Sequence, residues 1–438
     1  MRIPKVSELN KQDLEKFFLY CFAITSMISV AGATISIWIL TVLVILDPKR
    51  WEDFYKKPLF ILFVISFIYL SGSVIYGILQ IPGSTKLQIG EAKSWVRLWL
   101  FLSVGFVIYK DEKLALRILE LAFISLLLSI VIYLVQHPYI LHKLPRTGFK
   151  HKIISMALYL ATGILGMISF MPRMCTDQNG KISIGKLIVW YVIFFFLVEA
   201  FFITRTKGAW LAIGVVGPII IIIRYKKEFR KIGWLLFLIV LSIFILTIAN
   251  SNLIKQRAKG VVSTIKAILT QKEDRLSNKS ISDRYFLFKF GLKKIKERPI
   301  IGWGAGSTIP LIKMSKDPKL ARHHPTGKLE WYDHLHNLYL EIGVRFGIIG
   351  FLLIGLTMFI LLHRLKTTYN YGLISKDMYL FLTGTIALFA ICALSNFRIL
   401  HPDHRFFWAI IGGTIYGLGM PAKSSPLKGE KHGTFKQD

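Results

Sequence analysis

Acids and cysteines are scarce in this chain. Only 25 of its 438 residues are Asp or Glu, against 56 Lys and Arg. The three cysteines, Cys21, Cys175 and Cys392, lie far apart, two of them in apolar runs, which excludes a disulfide framework and a zinc-binding spacing. No small-residue cleavage site follows the first apolar run, so that run reads as an uncleaved span rather than a signal peptide. Internal repeats and low-complexity tracts are absent as well.

What is present is hydrocarbon. The chain is 53% hydrophobic with a mean hydropathy of +0.52, and its apolar runs have membrane-crossing length. That defines an all-α integral membrane protein. Residues 17–46 carry no charge, too long a run for one ordinary span, and read as two helices broken near Ala31-Gly32-Ala33. Further spans are expected at about 58–81, 95–109, 118–136, 153–171, 187–203, 208–223, 232–249, 346–363, 378–395 and 406–420. The total is about twelve transmembrane helices.

A formal net charge of +31 would suggest nucleic acid in a soluble protein. Here it must first be sorted by membrane side, and no nucleic-acid partner is expected. With a cytoplasmic N-terminus, the basic connections 47–57 and 224–231 and the C-terminal tail all fall inside, as the positive-inside bias requires. Residues 1–249 then hold nine spans, 250–336 one large outer loop, 337–420 three more spans and 421–438 a cytoplasmic tail.

The outer loop holds 18 Lys and Arg against 7 Asp and Glu, so any ligand it meets is expected to be anionic. Asp283 to Glu297 interleaves apolar and basic residues at helical spacing, with Ser282 or Asp283 as a possible cap and Pro299 and Gly302 ending it. Its basic face either lies solvated on the membrane surface or meets an anionic ligand there. The loop closes on W-Y-D-H-L-H-N, where His336 and Asn337 meet an apolar helix. In that helix Glu341 and Arg345 are spaced for an ion pair, and Gly343, Gly347 and Gly350 make a packing face.

Four outer segments could converge: Thr204 to Trp210 with Arg205 and Lys207, Arg284 in the basic helix, His336, and His401 to Arg405 with Asp403. Cations beside a neutral histidine suit a diphosphate next to a hydroxyl. The histidine can accept the proton of the attacking hydroxyl while the cations take the charge of the leaving group. Each residue also has a plainer role: His336 as a structural interfacial histidine, and Arg205 and Lys207 as headgroup anchors of a hairpin. Asp333, His334 and His336 lack a second ligand cluster, and Glu273-Asp274 is a single acid pair, so no metal and no cofactor is expected.

His336-Asn337, nine residues, then Gly347-Ile348-Ile349-Gly350 resembles the His-Asn/Ser/Gln-x9-Gly-x-x-Gly/Thr/Tyr motif of bacterial O-antigen ligases. T-R-T-K-G-A-W at 204–210 is similar to their Ser/Thr-Arg-Gly-Ala-Trp signature. Arg284 followed by P-I-I-G-W-G at 299–304 resembles their Arg…Asn-Pro-x-x-Gly-x-Gly segment. The resemblance implies a GT-C-type glycosyltransferase with one large periplasmic loop. It would transfer O-antigen from undecaprenyl diphosphate to a sugar hydroxyl of lipid A–core at the periplasmic face of the inner membrane, inverting and metal-independent. It further implies His336 as base or acceptor-positioning group and Arg284 as diphosphate ligand. Lys207 stands where the family has its catalytic arginine, with Arg205 as the competing candidate. Arg205, Asn337 and Asp403 are then expected to bind substrate. O-antigen polymerases share these motifs less closely. A lipid-linked oligosaccharide transporter is a further alternative, but Glu120 and Glu199 are the only acids expected well inside spans.

Overall fold

The computed structural model describes residues 10–47, 57–139, 145–177, 179, 181–225, 279–323 and 329–419. The expected span at 232–249, the part of the outer loop before 279 and the C-terminal tail lie outside the described residues. In chain order the helices are α1 (Lys11–Thr25), α2 (Val30–Ile45), α3 (Pro58–Gln80), α4 (Thr85–Val96), α5 (Phe101–Ile108), α6 (Glu112–Gln136), α7 (Ile153–Cys175), α8 (Ile184–Ile203) and α9 (Lys207–Tyr225). Then follow α10 (Lys279–Glu297), α11 (Thr308–Ser315), a hairpin of β1 (Ala321–His323) and β2 (Leu329–Trp331), α12 (Leu338–Asn370), α13 (Lys376–Ala393) and α14 (Pro402–Leu418). Among the described residues seven helices are long and apolar enough to cross a membrane: α3, α6, α7, α8, α9, α12 and α13. The protein is thus a multi-pass helical membrane protein.

Residues 17–46 do divide into two helices, but the break falls at Ser26–Ser29 rather than at Ala31-Gly32-Ala33. Ser29 caps α2 by accepting from the Gly32 amide (3.2 Å), so the glycine sits inside the first turn. A hydroxyl that satisfies an orphan N–H is a stronger start signal than a glycine is a stop. The expected span at 95–109 is the end of α4, a 3-10 turn at Arg97–Leu100 and the short α5, not one continuous helix.

The helices sort by burial into a centre and a rim. Faces of α3 and α8 remain open to lipid, while α7 and α14 are buried along most of their length. Small residues make that centre possible. A Cβ on Gly105 of α5 would stand 2.9 Å from the Gly413 carbonyl, and one on Gly417 would stand 2.7 Å from the Gly105 carbonyl, so α5 and α14 meet backbone to backbone. On one end of the bundle a second apolar cluster, including Leu287, Leu311, Leu335, Leu340 and Val344, seats α10 and α11 on the first turns of α12.

α10 begins at Lys279, ahead of the expected caps. Ser282 and Asp283 therefore lie within the helix, and Asp283 instead accepts a hydrogen bond from the Tyr332 hydroxyl.

The glycines after His336 do more than pack. α12 is broken at Gly347, whose φ of +57° and ψ of −151° are not helical. Residues 299–304 fill the gap: Ile348 N donates to Pro299 O (2.8 Å), Trp303 N to Val344 O (2.8 Å) and Gly304 N to Arg345 O (3.0 Å). A Cβ at Gly347 would lie 2.3 Å from the Ile300 carbonyl, and one at Gly302 (φ +69°) 2.4 Å from the Arg345 carbonyl carbon. Two segments some 45 residues apart in sequence thus form one backbone-paired unit. Gly347→Ala is expected to cost roughly 2 kcal/mol or more through backbone strain and the clash. The thermal unfolding of the purified protein should shift downward, whereas Gly355→Ala, at an open helical position with nothing within 4 Å, should leave it near wild type.

Candidate functional site

Beneath the paired segments lies a buried ion pair. Arg345 Nε donates to Glu341 Oε2 (2.6 Å) across one helical turn, and neither side chain is more than 1% exposed. Arg345 Nη1 also donates to the Ala305 carbonyl (2.6 Å) and to Glu91 of α4 (3.0 Å), and its guanidinium lies over the Phe397 ring (4.9 Å). Glu341 in turn accepts from the Thr308 hydroxyl (2.7 Å) and, through its other oxygen, from the Leu335 amide (2.6 Å). Two charges taken out of water are tolerable only with their remaining donors and acceptors satisfied, as here. The last of those bonds fixes the residue just before His336.

His336 is half-buried and takes a left-handed backbone (φ +54°), the sharp turn by which the strap of residues 332–336 enters α12. Asn337 then caps the helix. Its side-chain oxygen accepts from the Leu340 amide (3.0 Å) and its nitrogen donates to Leu394 O at the end of α13 (2.9 Å). Both ends of the amide thus have protein partners. Around the His336 ring stand the His334 ring (4.2 Å between centres) and, edge-on, the Tyr332 ring (5.6 Å). His334 Nδ1 is bonded to the Asp333 carboxylate. That hydrogen bond holds Asp333 down to about 2, so the group is a carboxylate at neutral pH and its side of the pairing is lost as pH falls towards that value.

The cations come from two other places. Arg284 on α10 is held below its ordinary value, first by the protein packed around it and then by the positive charge of Arg146, with Asp283 and Tyr332 opposing. Arg146 lies in the connection between α6 and α7 and donates through Nε to the carbonyl of Thr204 (3.1 Å). The turn it grips is T-R-T-K-G-A-W, in which Arg205 is left-handed (φ +47°) and Lys207 is the exposed first residue of α9. Gly208 then packs on the turn after α13, where a Cβ would lie 2.2 Å from Ser395 Oγ. That turn also carries the Leu394 carbonyl bonded by Asn337. Arg284, Arg146, the Arg205–Lys207 turn and His336 are therefore tied into one region.

Asp403 faces other partners. Its carboxylate lies 3.3 Å from His401 Nδ1 and 3.7 Å from His151 Nδ1, with His404 beside it bonded to Ser155 (3.1 Å). Arg398 stands between this group and the strap, acting electrostatically on both Asp333 and His404. Its Nε is buried without a hydrogen-bond partner among the described residues.

Below the strap an apolar cavity of about 230 Å³ opens between α3, α4, α12 and α13, lined by Tyr69, Trp95, Leu338, Tyr339, Ile342 and Phe346 among others. Four of these, Leu338, Tyr339, Ile342 and Phe346, belong to the part of α12 ahead of its break at Gly347. The site is thus a cationic cluster with a histidine at its edge, above a groove fit for a hydrocarbon chain.

Arg146, Tyr332 and Arg398 were not identified from sequence. Arg146 offers one faint signal, a basic residue in the short connection between two apolar runs.

The bundle defines a multi-pass membrane protein, and comparison with known proteins narrows the class. Residues 192–355 match the family model described as O-antigen ligase. The match spans the Arg205–Lys207 turn, Arg284, the 299–304 segment, His336 and Gly347 to Gly350, so the resemblance carried by those motifs is to that family. A protein of Rickettsia conorii named "Putative polysaccharide ligase" is 25% identical over 276 residues, 60% of this chain and 60% of that protein. An uncharacterized protein of Haemophilus influenzae is 26% identical over 352 residues, 73% of this chain and 80% of its own length. The matches support a ligase/polymerase-type function.

Removing one member of the buried pair leaves the other charge uncompensated, at a cost of about 3–5 kcal/mol. Glu341→Met is expected to lower the unfolding temperature sharply. Adding Arg345→Met to it should recover much of the loss, read as a positive coupling in a double-mutant cycle of thermal unfolding.

Proposed function

We propose that the protein transfers O-antigen from undecaprenyl diphosphate to a sugar hydroxyl of lipid A–core, at the periplasmic face of the bacterial inner membrane, as a GT-C-type, inverting and metal-independent enzyme. The observation that carries this reading is that Tyr332 meets the His336 ring edge-on and also acts electrostatically on Arg284. Histidine and diphosphate ligand would then face one reaction centre.

In the proposed step the acceptor hydroxyl gives its proton to His336 as its oxygen bonds the anomeric carbon of the donor sugar. The bond from that carbon to the diphosphate breaks, and the electron pair leaves with the phosphate oxygen. General-base assistance of this kind contributes about 10²–10⁴ in rate. Arg284 and Arg146, both exposed, repel one another, and a diphosphate between them would relieve that repulsion as its charge develops. Lys207, at the first turn of α9, adds a compact charge and the positive end of a helix, which suits a phosphate better than a planar carboxylate. The polyprenyl chain would lie in the apolar cavity under Leu338 and Tyr339.

Asp403 is proposed to order the outer end of α14 through His151 and His401, with substrate contact following from that placement. Asn337 acts through the turn at 394–395 and so keeps the Lys207 segment in register with His336.

In a cell His336→Ala is expected to abolish attachment of O-antigen to lipid A–core while the lipid-linked polymer still accumulates. Normal polymer-capped lipopolysaccharide on a gel would sink the assignment, and a single-repeat band in a deletion strain would instead mean an O-antigen polymerase. Lys207→Arg should retain most transfer and Lys207→Ala should lose most of it in the same gel assay. If only Arg205→Ala is severe, the phosphate-binding role belongs to Arg205.

A further inference from the structure

A second cavity, of about 350 Å³, lies between α6, α7, α13 and α14 and extends from Tyr159, beside His151, to Arg173. Its walls are apolar, with Leu119, Phe123, Gly163, Phe170 and Phe381 among the lining residues, and two charged residues line it as well: Glu120 of α6 and Arg173 of α7. Both are exposed. Glu120 makes no hydrogen bond or ion pair among the described residues. An acid on the surface of a membrane-spanning helix is costly unless a cation meets it, and so marks a site by default. Arg173 acts on Asp377, but that carboxylate is already bonded to Arg224 at 2.8 Å. Among the described residues the groove thus presents one acid without a partner and one cation whose acidic neighbour is otherwise engaged.

Its length fits a lipid chain. From Tyr159 to Arg173, both in the lining, α7 advances 14 residues, about 21 Å at ~1.5 Å per residue. That exceeds half of a hydrocarbon core of ~30 Å, so the groove takes one acyl chain and the start of a headgroup.

We infer that this groove binds a zwitterionic phospholipid, with the phosphodiester on Arg173, the ammonium on Glu120 and an acyl chain along α7. An anionic lipid would satisfy Arg173 and leave Glu120 repelled, and a lipid with a quaternary ammonium would lack the N–H donors that a carboxylate best accepts. A primary ammonium headgroup matches both charges. The site is distinct from the cationic cluster around Arg284, and its test does not depend on transfer activity.

The purified full-length protein would be delipidated in detergent, exposed to mixed phosphatidylethanolamine and phosphatidylglycerol micelles, and analysed by native mass spectrometry. Wild type is expected to retain one phosphatidylethanolamine in preference to phosphatidylglycerol. Glu120→Gln should lower that preference by about tenfold, the worth of one charge-assisted hydrogen bond, and Glu120→Lys should reverse it. Because preference is read within one sample, partial loss of folded protein does not mimic the effect. Leu119→Trp, which keeps both charges and fills the groove, should remove retention of either lipid. Glycerophosphoethanolamine without acyl chains should not compete. Equal retention of both lipids by wild type, an unchanged preference in Glu120→Gln, or competition by the free headgroup would overturn the proposal.

Discussion

The Glu341–Arg345 pair is the interaction on which the end of this molecule that carries His336 depends. A buried guanidinium can be kept only where every strong donor finds an acceptor, and Arg345 finds its acceptors on α12, on α4 and on the backbone at Ala305. Glu341 returns the constraint to Thr308 and to the amide of Leu335. Three segments distant in sequence, at Glu91, at 305–308 and at 335–345, are thereby held at one point. The left-handed turn at His336 begins one residue beyond one of those bonds, so the candidate base inherits its position from a salt bridge it does not touch.

The broken helix works with that pair. The gap at Gly347 frees backbone groups that a continuous helix would consume, and the 299–304 segment takes them. Unpaired amides and carbonyls at such a depth would be costly beside lipid, but here protein covers them. The motif glycines at 302, 304 and 347 are thus explained by close backbone approach. Arg284, one helix upstream of that segment, is placed by the same docking.

Some of this could be read in advance from particular residues. The i, i+4 spacing of Glu341 and Arg345 announces an ion pair, because helical geometry is local. The uncharged run at 17–46 announces two helices, though its break is set a few residues earlier by the hydroxyl of Ser29. The kink at Gly347 has no local signature beyond a glycine, since its stabilising partners lie more than 40 residues upstream. Arg146 was equally hidden: nothing near position 146 says that it will reach the Thr204 carbonyl or face Arg284. Asn337 was expected at the substrate, and its amide is engaged by a helix cap and by Leu394, because a cap position is decided by where the helix starts.

By itself the sequence determined that the chain lives in a membrane, that basic residues gather in the segment before His336, and that His336 stands at the mouth of a helix. These follow from hydrophobic run length, charge count and local helical spacing, all properties of neighbours in sequence. Only the tertiary structure decided which cations meet near that histidine, that α12 is broken, and which helices occupy the centre. Those outcomes rest on pairings between distant backbone groups and on the demand that buried charges be satisfied. Neither leaves a pattern in any short stretch of residues.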